Sequence, residues 1–179
     1  MKMLIDKIKL KLLLEEKRDY INHSIDGIDI VISENLDEVI HKFSIVAVKD
    51  NYNEYANRFL LYYDTAWKCW FFSVFIHQNE ENIIRRLSNK LKIDTKYIKV
   101  QYISDRLQPK FSEKDQIHKV YQHSLFQGYI AQFPPNMKQD EFEIDGTRYR
   151  WWTIQEMEDD KTIMKVNRDV VSFVKEKIR

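Results

Sequence analysis

Glycine is nearly missing from this sequence. Its 179 residues contain three, Gly27, Gly128 and Gly146, where average usage near 7% would place about 12 or 13. None stands between residues 28 and 127. That stretch therefore cannot hold a glycine-dependent phosphate loop, neither a P-loop nor a dinucleotide fingerprint. Phosphate chemistry here has to use side chains, a metal or a helix end. Cysteine is scarcer still. The single Cys69 can form no internal disulfide and no cysteine-based zinc site by itself, so the expected setting is reducing and cytoplasmic.

Other absences narrow the class further. No apolar run approaches the length of a membrane span. Lys+Arg 29 against Asp+Glu 28 leave a net charge of +1, so no general nucleic-acid binding is expected from a global field. Met1 to Leu14 carries lysines and a Leu12-Leu13-Leu14 run, but it turns into Glu15-Glu16-Lys17-Arg18 without a small-residue cleavage site, unlike a signal peptide. Ile5 to Ile21 reads as an amphipathic helix with Ile5, Ile8 and Leu12 inward. A membrane-surface helix is the alternative, opposed by Glu15, Glu16 and Asp19 on the basic face.

What is present reads as an α+β chain. Ile28 to Ile32 is a short strand, and Asn35 can cap a helix through Lys42. Ser44 to Lys49 and Arg58 to Tyr63 form a predicted hairpin around the polar turn Asp50 to Asn57. Trp67 to Ile76 is a predicted aromatic strand. Asn79 caps a helix with acids in its first turn, and Ile83, Ile84, Leu87 and Leu91 make one apolar stripe on it. Tyr97 to Ile103 alternates as a strand, Pro109 to Gln116 is a polar connection, and His118 to Ile130 is a long strand ended by Pro134-Pro135-Asn136. Glu141 to Ile154 is a hairpin turning at Asp145-Gly146, and Ile163 to Ile178 is a closing helix. Residues 1–43 read as a helix/strand/helix extension packed on a core of residues 44–179.

Arg85-Arg86-Leu87-Ser88-Asn89-Lys90-Leu91-Lys92-Ile93 follows an aromatic strand led by Trp70-Phe71-Phe72-Ser73. Tyr149-Arg150-Trp151-Trp152-Thr153-Ile154-Gln155-Glu156 is a late strand running to an acid, and Asn167-Arg168-Asp169-Val170-Val171 lies in the closing helix. In this order they resemble the Nudix family from about Ser44 to Ile178, with Arg85, Leu87 and Ile93 on the leading arginine and apolar positions of its signature helix. The resemblance implies a Nudix-like mixed β-sheet sandwiched by helices. The Asn79-Glu80-Glu81-Asn82 helix start and the Tyr-Arg-Trp-Trp ending look most like the SMODS-associated NUDIX group, which implies a place in bacterial anti-phage defence systems that use nucleotide second messengers.

The departures bear on chemistry. Family hydrolases hold magnesium or manganese on three glutamates of this helix, where the metal polarises a diphosphate and activates water. Those positions here are Arg86, Asn89 and Lys90. Two acids have become cations, and a hard divalent ion needs carboxylate oxygens. Glycine is missing from the counterpart loop, Ser73 to Gln78, and from the position of Lys92. Metal-dependent pyrophosphohydrolysis is expected to be lost, with no metal site and no cofactor.

Two explanations for Arg86, Asn89 and Lys90 stand side by side. Either they are the wet face of an amphipathic helix, or the cations replace the metal and hold a ligand's phosphate directly. Trp67, Trp70, Phe71 and Phe72 read as core or lid. Tyr121 and Trp151 are the favoured residues for stacking a nucleobase. His118 and His123 have opposite strand parity and do not converge on a metal. Cys69 reads as a small strand hydrophobe. Glu156, Glu158, Asp159 and Asp160 read as a solvated loop favouring the next helix start.

The leading expectation is a catalytically degenerate sensor or interaction module that binds a nucleotide or cyclic oligonucleotide signal. One alternative is a noncanonical metal-dependent pyrophosphohydrolase rebuilt from Glu80, Glu81, Glu156 or Glu158. The other is a protein–protein scaffold in a defence system, using the N-terminal helix or the tryptophan strand as its interface.

Overall fold

A computed structural model describes residues 2–3, 29–30, 40–52, 57–112 and 117–178. The expected helices at Ile5–Ile21 and from Asn35, apart from the latter's final residues, lie outside them. Two compact units divide the chain: residues 1–43 with 105–123, and residues 44–104 with 124–179. In the first, β1 (Lys2–Met3) pairs in parallel with β2 (Asp29–Ile30).

The remaining strands are β3 (Ile40–Val48), β4 (Arg58–Asp64), β5 (Cys69–Phe71), β6 (Ser73–Ile76), β7 (Ile98–Ser112), β8 (Ile117–Ile130), β9 (Glu141–Ile144) and β10 (Thr147–Thr153). The helices are α1 (Glu80–Leu91), α2 (Ile154–Asp159) and α3 (Lys161–Lys177). Among the described residues the strands make two four-stranded sheets, ordered β5-β4-β10-β9 and β6-β3-β8-β7. The chain is α+β, as expected.

Side-chain alternation divides the core of the larger unit. Val46, Val48, Leu60, Phe126, Tyr149 and Trp151 join Ile83, Leu87 and Leu91 of α1 in one cluster. Their neighbours Ile45, Ala47, Phe59, Leu61, Leu125 and Trp152 join Met157 of α2 and Ile163, Val171 and Phe173 of α3 in the other. Adjacent strand residues point to opposite faces, so both faces of these strands are covered by helix. Phe59, Phe72 and Phe173 are among the largest fully buried side chains, each stabilising the fold by about 1.5–3 kcal/mol.

Three expectations about strands fail for one reason. Ser44–Tyr63 is not a hairpin of one sheet: β3 and β4 touch through the antiparallel bridge Lys49↔Phe59 and then enter different sheets. Trp67–Ile76 is not one strand. It breaks at Phe72, with β5 pairing on β4 and β6 joining the other sheet. Ile40 to Lys42, expected to end a helix, instead begin β3. In each case partners distant in sequence decide the pairing. The connection expected from Pro109 likewise starts later, since Pro109 to Ser112 continue β7.

Two glycines have definite tasks. The β9–β10 hairpin turns at Asp145 (φ 49°) and Gly146 (φ 74°), two successive positive φ values suited to an Asp-Gly turn. A Cβ on Gly128 would stand 3.0 Å from Val48 Cγ2 and 3.4 Å from Val46 Cγ1, so its absence lets β8 lie close to β3. Elsewhere other residues take the glycine conformation: Asn57, Lys68 and Lys92 have φ of 44°, 50° and 55°.

Candidate functional site

Helix α1 is held firmly at its start. Asn79 accepts the Asn82 N–H at 2.9 Å. Ser44 Oγ and the Gln78 backbone exchange hydrogen bonds of 3.0 and 3.3 Å. Glu80 accepts the Tyr102 N–H at 3.1 Å, which ties the first turn to β7. At the other end Lys92 is left-handed and donates its N–H to the Ser88 carbonyl. This is a helix stop usually made with glycine, so here the backbone conformation occurs without the residue that adopts it most easily.

Lys90 and Arg86 stand one residue before the buried Leu91 and Leu87, so they flank the apolar stripe and their stems run along its edge. Lys90 is half-buried. Its Nζ lies 3.8 Å from the Tyr62 ring centroid and 5.7 Å from that of Phe75. The Arg86 guanidinium carbon is 5.8 Å from the same Phe75 ring. Burial pulls the Lys90 ammonium below its ordinary range, and the Asp64 carboxylate acts against that fall. Neither cation has a carboxylate within ion-pair distance among the described residues. Arg86 and Lys90 thus share one aromatic surface, while Asn89 is exposed on the helix. A divalent cation of the kind Nudix hydrolases use does not fit these residues, since two of the three offer positive charge and no oxygen.

The two expected stacking residues fall in different units. Trp151 is 3% exposed and donates its indole N–H to the Met137 carbonyl at 2.8 Å. Phe133 meets its ring edge-on. It fills the core facing α1, and a buried ring with its polar atom satisfied has no face to offer a ligand. Tyr121 belongs to the other unit, where it lies against His41, Phe43 and His123. His123 is thus part of an aromatic group, and His41 is exposed.

The tryptophan segment divides unexpectedly. Trp70 and Phe72 are buried and Phe71 is half-buried, but Trp67 is 66% exposed. Tyr62 and Phe75 are the residues that sequence reasoning passed over, and Trp67 is one that it read as core or lid. Tyr62 and Phe75 carried no local signal, because their meeting with α1 is a tertiary event. Trp67 carried one: an aspartate three residues earlier, the signature of a side-chain-closed turn.

The acids are engaged in structure. Glu81 faces Arg85 at 4.0 Å. Glu156 completes a capping box with Thr153 and pairs with Arg150, Glu158 pairs with Lys175 at 2.8 Å, and Asp160 caps α3 by accepting the Thr162 and Ile163 N–H groups. Hydrogen bonds from Thr153 and the charge of Arg150 outweigh partial burial and hold the Glu156 carboxyl below its usual value. Among the described residues no three His, Cys, Asp or Glu side chains are grouped to hold a metal ion. Cys69 is buried, and burial pushes its thiol up. No helix of the described residues is long and apolar enough to cross a membrane.

No protein-family model matches this chain, and no curated protein sequence matches it. Solved structures are similar to it at low identity. The NUDIX domain of Shewanella oneidensis NrtR, complexed with ADP ribose, is 9% identical with a TM-score of 0.47, over 89% of this chain and 97% of that one. The Ap4A hydrolase of C. elegans is 12% identical with a TM-score of 0.42, over 75% and 98%. A NUDIX hydrolase from Nitrosomonas europaea is 13% identical with a TM-score of 0.43, over 74% and 89%. The two sheets and flanking helices of this chain make an α+β fold.

Proposed function

We propose that this chain is a Nudix-like nucleotide-binding module without metal-dependent hydrolysis. It serves as a cytoplasmic sensor or interaction module in bacterial anti-phage defence, and its ligand is a nucleotide or cyclic oligonucleotide. The observation that carries this reading is the Lys90 ammonium, half-buried over Tyr62 with no carboxylate within ion-pair distance among the described residues. A cation drawn out of water with no carboxylate in contact is poised to take an anion. Arg86 on the same aromatic surface adds a fork-shaped donor suited to phosphate. The defence setting rests on the sequence resemblance to the SMODS-associated group.

The rebuilt hydrolase has less support, because Glu80, Glu81, Glu156 and Glu158 each already serve a hydrogen bond or ion pair. Calorimetry in EDTA against ATP, ADP-ribose and cyclic di- and trinucleotides tests the reading. Binding of at least one member, weakened tenfold or more by Arg86→Glu, is the expected result. No binding to any member, or an affinity indifferent to Arg86→Glu, would overturn it.

A further inference from the structure

Trp67 is 66% exposed, yet its backbone is fixed. Asp64 Oδ1 accepts the N–H groups of Ala66 and Trp67 at 2.9 and 3.0 Å, closing the turn between β4 and β5, and Lys68 adopts φ 50° within it. From the indole a chain of aromatic contacts leads to the cations. Trp67 is edge-on to Phe71 with centroids 6.5 Å apart, and Phe71 is 6.2 Å from Tyr62. Tyr62 carries Lys90 at 3.8 Å, and Phe75 is shared by Lys90 and Arg86.

The charges along this track are unequal. Lys90 and Arg86 supply the positive charge, while Asp64, which closes the Trp67 turn, is an acid near enough to act on the Lys90 ammonium. A phosphate is attracted to the first and repelled from the second. The neutral, flat part of a nucleotide is left to the indole. Stacking on an exposed indole suits a nucleobase, because every base offers a π-face, and a turn already closed by Asp64 loses little freedom on binding.

We infer that Trp67 stacks the base of a nucleotide whose phosphate is held by Lys90 and Arg86, and that Asp64 sets which end of the ligand lies where. The inference rests on the nucleotide-binding reading above and names Trp67 in place of the buried Trp151 as a stacking residue.

Calorimetry on the full chain in EDTA, with ADP, GDP, cyclic di-AMP and base-free pyrophosphate as probes, separates the two ideas. At least one nucleotide is expected to bind about tenfold more tightly than pyrophosphate. Trp67→Ala removes that advantage and leaves pyrophosphate unchanged, whereas Trp67→Phe keeps most of it. Because Trp67 is exposed, its replacement leaves the fold intact, and circular dichroism checks this. Asp64→Asn, which keeps the acceptor of the turn, raises pyrophosphate affinity. If Trp67→Ala leaves nucleotide affinity unchanged while Lys90→Met weakens it, the stacking inference is wrong and the nucleotide-binding reading survives. If no probe binds, pyrophosphate included, both fall together.

Discussion

The ammonium of Lys90 sits 3.8 Å from the centre of the Tyr62 ring and has no carboxylate partner among the described residues. Burial depresses its pKa, so protonation is less favourable in the folded chain than in the unfolded one. That is an energetic penalty which cation–π attraction offsets only in part. Lys90→Met puts a flexible apolar chain of similar length over the same rings. It is expected to leave stability unchanged or raise it by about 1 kcal/mol, while nucleotide affinity falls. The sign follows from linkage: the wild type gains stability as pH rises through the depressed value toward the ordinary 10.5, so the benefit of Lys90→Met shrinks at alkaline pH. Thermal melts from pH 7 to 10 check this. A loss of about 2 kcal/mol at pH 7 would make Lys90 a structural residue.

Lys92 holds a left-handed conformation at the end of α1, φ 55° and ψ 39°. A side chain there is strained by about 1 kcal/mol. Its ion pair with Asp145, 2.8 Å long, joins two exposed side chains and returns only a few tenths of a kcal/mol. Lys92→Gly is therefore expected to stabilise the protein by about 0.5–1 kcal/mol, a rise of about 2 °C in Tm. Lys92→Ala keeps the strain, loses the pair and lowers Tm slightly. Differential scanning calorimetry of the two variants decides whether backbone strain or the ion pair dominates.

Trp151 and Trp152 are neighbours on β10 with opposite fates. Trp151 gives its N–H to Met137, whereas the buried Trp152 N–H has no acceptor among the described residues. Trp151→Phe removes a bond and leaves a buried carbonyl unmet, at about 2 kcal/mol or more. Trp152→Phe also loses volume but removes an orphan donor, so its effect stays under about 1 kcal/mol. Urea unfolding of both variants tests the ordering. Equal losses would show that volume alone matters at both positions.

Asn167 interrupts α3, with φ −123° inside the helix, and donates its amide to the Trp70 carbonyl at 2.9 Å and toward Cys69 Sγ at 3.8 Å. The amide satisfies a carbonyl in the middle of the short strand Cys69–Phe71. Asn167→Leu is expected to cost about 1–3 kcal/mol and to raise the exposure of Cys69. Labelling by a thiol reagent, slow in the wild type because the thiol is buried and its pKa raised, is expected to quicken in the variant. Unchanged labelling with unchanged stability would remove Asn167 from this role.

Two groups predict how stability varies with pH. The Glu156 carboxyl is depressed below 4.5. Its stabilising effect is complete above that value and is lost as pH falls through the folded one. Glu156→Gln should flatten the acid side of the stability profile. At the other extreme, burial and the nearby Tyr62 and Asp145 raise the Tyr149 phenol from 10.0 to about 12. Stability tied to the neutral phenol is present below pH 10 and declines as pH rises toward that value. Tyr149→Phe should remove that decline, as followed by fluorescence melts.

Helix α1 and the Glu141–Thr153 hairpin were legible in the sequence because their determinants are local. Asn79 caps residues within its own first turn, the spacing of Ile83, Leu87 and Leu91 belongs to one helix, and Asp145-Gly146 makes a turn by its own φ values. The glycine shortage was legible too. The residues alone leave no glycine for a phosphate loop between 28 and 127, and they place Arg85, Arg86 and Lys90 on α1. What the sequence could not determine is which strands pair and which aromatic rings are covered. β3 and β4 part after one bridge, and β5 and β6 part at Phe72, because each strand is claimed by partners far along the chain. That division buries Trp70, Trp151 and Trp152, leaves Trp67 in solvent, and brings Tyr62 and Phe75 under Lys90. Helix propensity and turn chemistry act over a few residues, but burial is decided by the whole set of packed elements. The basic face was therefore written in α1, and the aromatic surface beside it came only from the tertiary fold.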